Sequence, residues 1–149
     1  MIDGVKITPL KQIGDARGTV MHMLRRDSDV FVEFGEVYFS TVHPGVVKGW
    51  HVHKRMILNY AVPQGEVLVV LYDDRPQSPT RGEVQKVVLG PASYALLTIP
   101  PGIWSGFKGL GTETAILANC ASIPHDPDEI ARRDPGDPSI PYEWQRDDR

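Results

Sequence analysis

Apolar residues in this chain fall in short runs broken by glycine and proline. The strand-like runs are residues 29–42 (DVFVEFGEVYFSTV), 56–62 (MILNYAV), 66–72 (EVLVVLY), 83–89 (EVQKVVL), 94–99 (YALLTI) and 113–119 (ETAILAN). Each is rich in β-branched or aromatic side chains, which suit a pleated, half-buried surface. Turn signals separate them at Pro44-Gly45, Gln64-Gly65, residues 73–82, Gly90-Pro91, residues 100–102 and residues 109–111. Short strands at this spacing, with no long helical period between them, predict an all-β sandwich or barrel. Residues 1–149 form one domain without repeat or linker. From Ile123 the chain turns rich in proline and aspartate. There residues 128–133 predict a helical turn or two, and Ile140, Tyr142 and Trp144 a tail packed on the sandwich. The terminal QRDDR is expected to fray.

Composition narrows the function. With 149 residues the chain can bury a core without staples. Lys plus Arg number 16 against 19 Asp plus Glu, so no broad basic field exists for nucleic acid, although a local cluster could hold a phosphate. Cys120 is the only cysteine, which excludes an intrachain disulfide and a cysteine zinc site. No apolar run approaches the roughly 20 residues of a membrane helix, and the N-terminus has no signal-like h-region. The cytoplasm is the expected compartment, with no membrane partner.

Candidate chemistry begins in GVVKGWHVH, residues 45–53. Strand side chains alternate, so His51 and His53 share a face. Facing inward they suggest a metal site; facing outward they are solvated. Gly45, His51, His53 and Gly65 follow the first motif of the cupin superfamily, and this resemblance implies a jelly roll, the double-stranded β-helix. Metal-binding cupins place a glutamate where this chain has Leu58. In the second motif, residues 100–105 (PPGIWS), they place a histidine where it has Ser105. Leucine cannot ligate a metal and serine replaces imidazole poorly, so the resemblance implies no resident metal and no cofactor.

The chain further resembles the dTDP-4-dehydrorhamnose 3,5-epimerase family, metal-independent cupins of deoxysugar biosynthesis. Asp15-Ala16-Arg17-Gly18 is similar to the family's D-x-R-G, and Lys48-Gly49-Trp50-His51 to its R-G-x-H. Asp73-Asp74-Arg75 with Ser78-Pro79-Thr80 matches D-x-R then S-P-T, and residues 99–107 match I-P-x-G-x-x-H-G-F with Ser105 at the histidine. Asp137-Pro138 and Trp144 stand at the spacing of the C-terminal D-P and W-P region.

The resemblance implies proton removal beside a ketone on a nucleotide-diphosphate sugar, dTDP-linked in the family, and reprotonation on the other face. It makes His51 the base and Asp137, or alternatively Asp134, its orienting carboxylate. It sets Arg17 and Lys48 on the diphosphate, and it implies a homodimer in which N-terminal strands reach the partner's site. The family's acid, a tyrosine followed by proline, is absent from residues 121–126 (ASIPHD), and its enolate-steadying lysine falls at Leu58. His22 stands where a glutamate is usual. Tyr60, Tyr142, His53 and His22 are the candidate acids, and Lys48, His53 and Asn59 the candidate donors to the developing oxyanion. Tyr60 and Trp104 either line the pocket and stack on a nucleotide base or pack in the core. His43 and His125 are read as solvated. Asp126, Asp128 and Glu129 are read as helix-start charges, and Asp73-Asp74-Arg75 as a turn salt bridge. Arg132 and Arg133 either grip a phosphate or are solvated. Three classes follow: an epimerase or isomerase of a nucleotide-linked 4-keto-deoxysugar, a non-catalytic nucleotide-sugar-binding cupin, and a metal-dependent cupin enzyme using His51, His53 and a ligand such as His22.

Overall fold

A computed structural model describes residues 1–148. Eleven strands supply the body: β1 (Lys6–Pro9), β2 (Gln12–Asp15), β3 (Gly18–Met21), β4 (Glu36–Val42), β5 (Val47–His53), β6 (Leu58–Gln64), β7 (Glu66–Asp73), β8 (Val84–Leu89), β9 (Ala95–Ile99), β10 (Ile103–Leu110) and β11 (Ala115–Ala121). A 3-10 turn at Pro127–Glu129 and a short β12 (Ile130–Arg132) follow. One five-stranded sheet has the order β1-β9-β6-β11-β4, and the other β12-β5-β10-β7-β8. A separate hairpin pairs β2 with β3. All strand pairings are antiparallel. No helix among the described residues is long and apolar enough to cross a membrane.

The two sheets bury one apolar layer between them. Leu58, Tyr60 and Val62 of β6, Leu97 and Ile99 of β9, and Leu117 of β11 meet Val67, Val69 and Leu71 of β7 and Phe107 of β10. Every second residue points inward, as the strand period requires. Gly65 makes the tight turn from β6 into β7 with φ +77°, a conformation open to glycine but strained for residues with a Cβ.

A second apolar cluster lies on the outer face of the β5-β10-β7 sheet. Trp50, Leu68, Val70 and Trp104 are covered there by Ile140, Tyr142 and Trp144, as expected for the tail. Trp50 donates from Nε1 to the Pro135 carbonyl at 3.1 Å. Asp147 and Asp148 are tied down rather than frayed, since Lys108 bonds Asp148 at 2.6 Å and Lys86 bonds the Asp147 carbonyl at 2.7 Å, while the last residue of QRDDR lies outside the described residues.

Three expectations change. Residues 29–42 do not form one strand: only Glu36–Val42 is extended, and the stretch before it is irregular. The helical turns expected over residues 128–133 are a 3-10 turn at Pro127–Glu129, capped by Asp126, which then extends into β12. The predicted runs also omit β10, whose apolar pattern is interrupted by Gly106 and by the break placed at Gly109. Those glycines are packing sites: a Cβ on Gly106 would lie 3.1 Å from the Trp144 ring, and one on Gly109 2.4 Å from the His43 carbonyl.

Where β5 meets β10 the register slips. Ser105 pairs with His51 and Gly106 with Gly49, so Gly49 and Trp50 together oppose one residue. This is a β-bulge. The backbone of Trp50 is satisfied elsewhere, exchanging bonds of 2.8 and 3.0 Å with Arg133. Past the bulge the alternation is reset, and Lys48 pairs with Phe107, an inner-core residue. Lys48 therefore shares the inner face with His51 and His53 instead of lying opposite them.

Candidate active site

His51 and His53 face into the mouth of the sandwich, their ring centroids 5.3 Å apart and nearly perpendicular. They line a cavity of about 370 Å³ with Glu36, Tyr38, Met56, His125, Ile130 and Arg132. His51 Nε2 lies 3.3 Å from Ser105 Oγ and 3.5 Å from Tyr60 Oη, so the serine in the place of a cupin histidine has become a hydrogen-bond partner. Burial, then the charges of His53 and Arg132, push the His51 imidazole down to about 4, against a smaller opposing effect of Glu129. His51 is thus neutral at pH 7. Burial, together with the neighbouring Tyr38, pushes the Tyr60 phenol up, so it too stays neutral.

His53 is 7% exposed and hydrogen-bonded through Nδ1 to Glu129, which is 3% exposed. The other oxygen of Glu129 accepts from the backbone N–H groups of Arg55 and Met56 at 3.0 and 3.2 Å. Burial would raise the Glu129 carboxyl, but these bonds and His53 outweigh it and hold it below its ordinary value. Across the cavity, Tyr38 Oη accepts from Asn119 Nδ2 at 3.0 Å, and Asn119 Oδ1 accepts from the Asn59 backbone at 3.0 Å.

Several expected site residues sit elsewhere. The Asp137 carboxylate accepts from the backbone and hydroxyl of Ser139 at 2.9 and 2.6 Å. It shares an open cleft with Asp134, Arg132, Arg133, Gly49, Trp50 and His51, but among the described residues no hydrogen bond joins either aspartate to the imidazole. The reason is topological: the tail crosses the Trp50 face of β5, while the His51 ring points inward. Trp104 does not line the pocket. It is packed on the outer face with Arg133 stacked 4.2 Å above its ring. Tyr142 lies in the same outer cluster and faces away from the imidazoles.

Asn59 spends its side chain on the Thr98 hydroxyl and the Cys120 carbonyl, which leaves it a structural role. Lys48 Nζ bridges to Ser40 Oγ and the Thr41 carbonyl at 3.1 and 2.6 Å, at the rim. Arg17 sits on the β2–β3 turn, its side chain 89% exposed and paired with Asp15. His22 follows β3, away from the cavity, its backbone bonded to Lys11. Sequence reasoning missed Glu129, Tyr38, Asn119 and His125. The one signal for Glu129 was an acid placed just after the last core strand, where the chain must turn back beside β5. Among the described residues no group of three or more His, Cys, Asp or Glu side chains is arranged to hold a metal ion.

Comparison with known proteins places this geometry. A model of the dTDP-4-dehydrorhamnose 3,5-epimerase family matches residues 1–149. The chain belongs to this family. It is 36% identical over 144 residues to "Probable low-salt glycan biosynthesis epimerase Agl13" of Haloferax volcanii, covering 95% of this chain and 89% of that one. It superposes with TM-score 0.94 and 46% identity on a dTDP sugar isomerase from Desulfovibrio desulfuricans G20, over 96% and 92% of the two chains. A Legionella pneumophila dTDP-6-deoxy-D-glucose-3,5-epimerase, solved with dTDP-4-keto-L-rhamnose, gives TM-score 0.84 at 27% identity over 97% and 80%. The jelly roll implied by the cupin motifs is thus the fold of this epimerase family, and the protein is an epimerase-like enzyme of it.

Proposed function

We propose that the protein epimerises a dTDP-linked 4-keto-deoxysugar, with His51 taking the proton from the carbon beside the ketone. The observation that carries this reading is a neutral imidazole at the floor of a pocket with a second imidazole beside it, in a chain of the epimerase family. A base must be unprotonated to act, and His51 is. Burial penalises the imidazolium once it forms, which favours prompt return of the proton to carbon. Tyr38, oriented by Asn119 on the β4 wall, is suited to deliver a proton from the other side of the ring.

The nucleotide diphosphate is held by Lys48 at the rim and by Arg17. In one protomer Arg17 stands on an exposed hairpin, so this role requires a homodimer that brings the hairpin to the partner's pocket. Exposed Ile13 and Val20 on the hairpin, and exposed Val37 and Phe39 on edge strand β4, support such an assembly. Large apolar side chains on an open sheet edge favour pairing with another chain.

The test is solvent-deuterium incorporation into dTDP-4-keto-6-deoxyglucose. Wild-type protein should incorporate deuterium beside the ketone, and His51→Asn should abolish this while still binding dTDP. Exchange by the variant at the wild-type rate removes His51 as the base. Binding of the sugar nucleotide without exchange by the wild type makes the protein a binding module instead.

A further inference from the structure

Glu129 is a buried carboxylate whose only ion-pair partner among the described residues is His53. A buried charge is costly unless it is hydrogen-bonded and balanced. Two backbone N–H groups and the His53 Nδ1–H supply the bonds, and the imidazole is the group set directly against the carboxylate. The arrangement fixes the ring: Nδ1 is committed to Glu129, and Nε2 has no hydrogen-bond partner among the described residues although His53 lines the cavity. His51, by contrast, directs Nε2 to Ser105 and Tyr60.

Two imidazoles 5.3 Å apart on one wall cannot protonate opposite faces of one carbon. They can address neighbouring atoms of one ligand. Removing a proton beside a ketone moves the C–H electron pair into a carbon–carbon double bond and the carbonyl π pair onto oxygen. That oxygen needs a donor preorganised before the charge develops. Leu58, where the family resemblance implies a lysine, is 2% exposed within the apolar core and cannot donate.

We propose that His53 donates from Nε2–H to the ketone oxygen of the bound 4-keto sugar, with Glu129 as the positioning residue that holds the ring and balances its charge. This rests on the epimerase reading above. His51 carries the abstracted proton, the oxygen takes only the hydrogen bond, and when carbon is reprotonated the pair returns to the carbonyl with His53 unchanged. The other charged or titratable groups facing this cavity are Glu36 and Tyr38 from β4, His51, His125 and Arg132.

The first measurement needs no substrate. Nitrogen-15 NMR of ligand-free wild-type protein at neutral pH should show both His53 nitrogens protonated, and Glu129→Gln should lose one of those protons. The second is deuterium exchange into dTDP-4-keto-6-deoxyglucose. His53→Gln and Glu129→Gln should each lower kcat by about a hundredfold with little change in KM, as for loss of one oxyanion donor. Circular dichroism checks their folding, and the wild-type NMR result stands even if Glu129→Gln misfolds. A singly protonated His53 in the wild type overturns the proposal, as does wild-type kcat in folded His53→Gln. If the wild type itself exchanges no deuterium, the epimerase reading fails and the ketone-oxygen role fails with it. Exchange by the wild type with unchanged exchange in His53→Gln removes the His53 role alone.

Discussion

Acid should expose the cost of burying His51. Its folded value is pushed down to about 4 from an ordinary 6.5, by burial first and then by the neighbouring positive charges. Above the ordinary value the imidazole is neutral in both folded and unfolded chains and contributes no pH dependence. As pH falls below it, the unfolded chain takes up a proton that the folded chain refuses. Stability is therefore lost between about pH 6.5 and about pH 4, and the loss is complete once the folded form also protonates. Each pH unit of that gap is worth about 1.4 kcal/mol, so at roughly pH 4.5 the accumulated loss is about 2.5 kcal/mol. His51→Asn removes the titration and keeps a polar side chain near Ser105 and Tyr60. Urea unfolding of both proteins across this range isolates the effect, because groups that titrate in both largely cancel in the difference. Wild-type stability should fall about 2.5 kcal/mol further than that of the variant. Parallel curves would refute the reasoning, since they would mean that His51 titrates alike in the folded and unfolded chains.

Other outcomes follow from the scaffold. Asp73, fully buried, accepts from Arg75, Ser78 and Thr80, and these bonds outweigh burial to hold its carboxyl low. Asp73→Asn should lower stability by about 2–4 kcal/mol in urea titrations, and an unchanged midpoint would deny the cluster its role. Light scattering should find the wild type a dimer and Phe39→Glu, on the β4 edge, a monomer, and an unchanged mass for the variant would take Phe39 out of the proposed interface. In the dimer, Arg17→Ala should weaken dTDP-sugar binding about ten- to a hundredfold by calorimetry, and an unchanged dissociation constant removes Arg17 from the site.

The all-β class and most inner strands were legible because β-branched runs alternate between turn residues, as in EVLVVLY of β7. His51 and His53 were legible through a two-residue spacing that β5 preserves. Glu129 was not, because its partner lies 76 positions away and a local reading sees only an acid after a proline. Spacing to Trp144 points to Asp137 as the orienting carboxylate, but it carries no information about which face of the sheet the tail crosses, and the carboxylate bonds Ser139 instead of the imidazole. Trp104 was left between two roles for the same reason: its neighbour Ser105 faces the pocket, and alternation alone does not say which of the two does. Strand β10 escaped because its glycines answer to the bulk of Trp144 and to the His43 carbonyl rather than to any local propensity.

The extra residue in β5 makes the outside of the protein a determinant of its inside. Trp50 is held out of the β10 ladder by Arg133, and its ring is clasped by the C-terminal aromatics. Straightening β5 with Trp50 retained would put that residue into the β10 ladder, swing Lys48 to the opposite surface and strip the tail of its anchor in one step. An engineer shortening the C-terminus would thus disturb a lysine at the pocket rim without touching it. The parity of one strand, maintained from behind by the last segment of the chain, decides whether that lysine stands beside the imidazoles or turns its back on them.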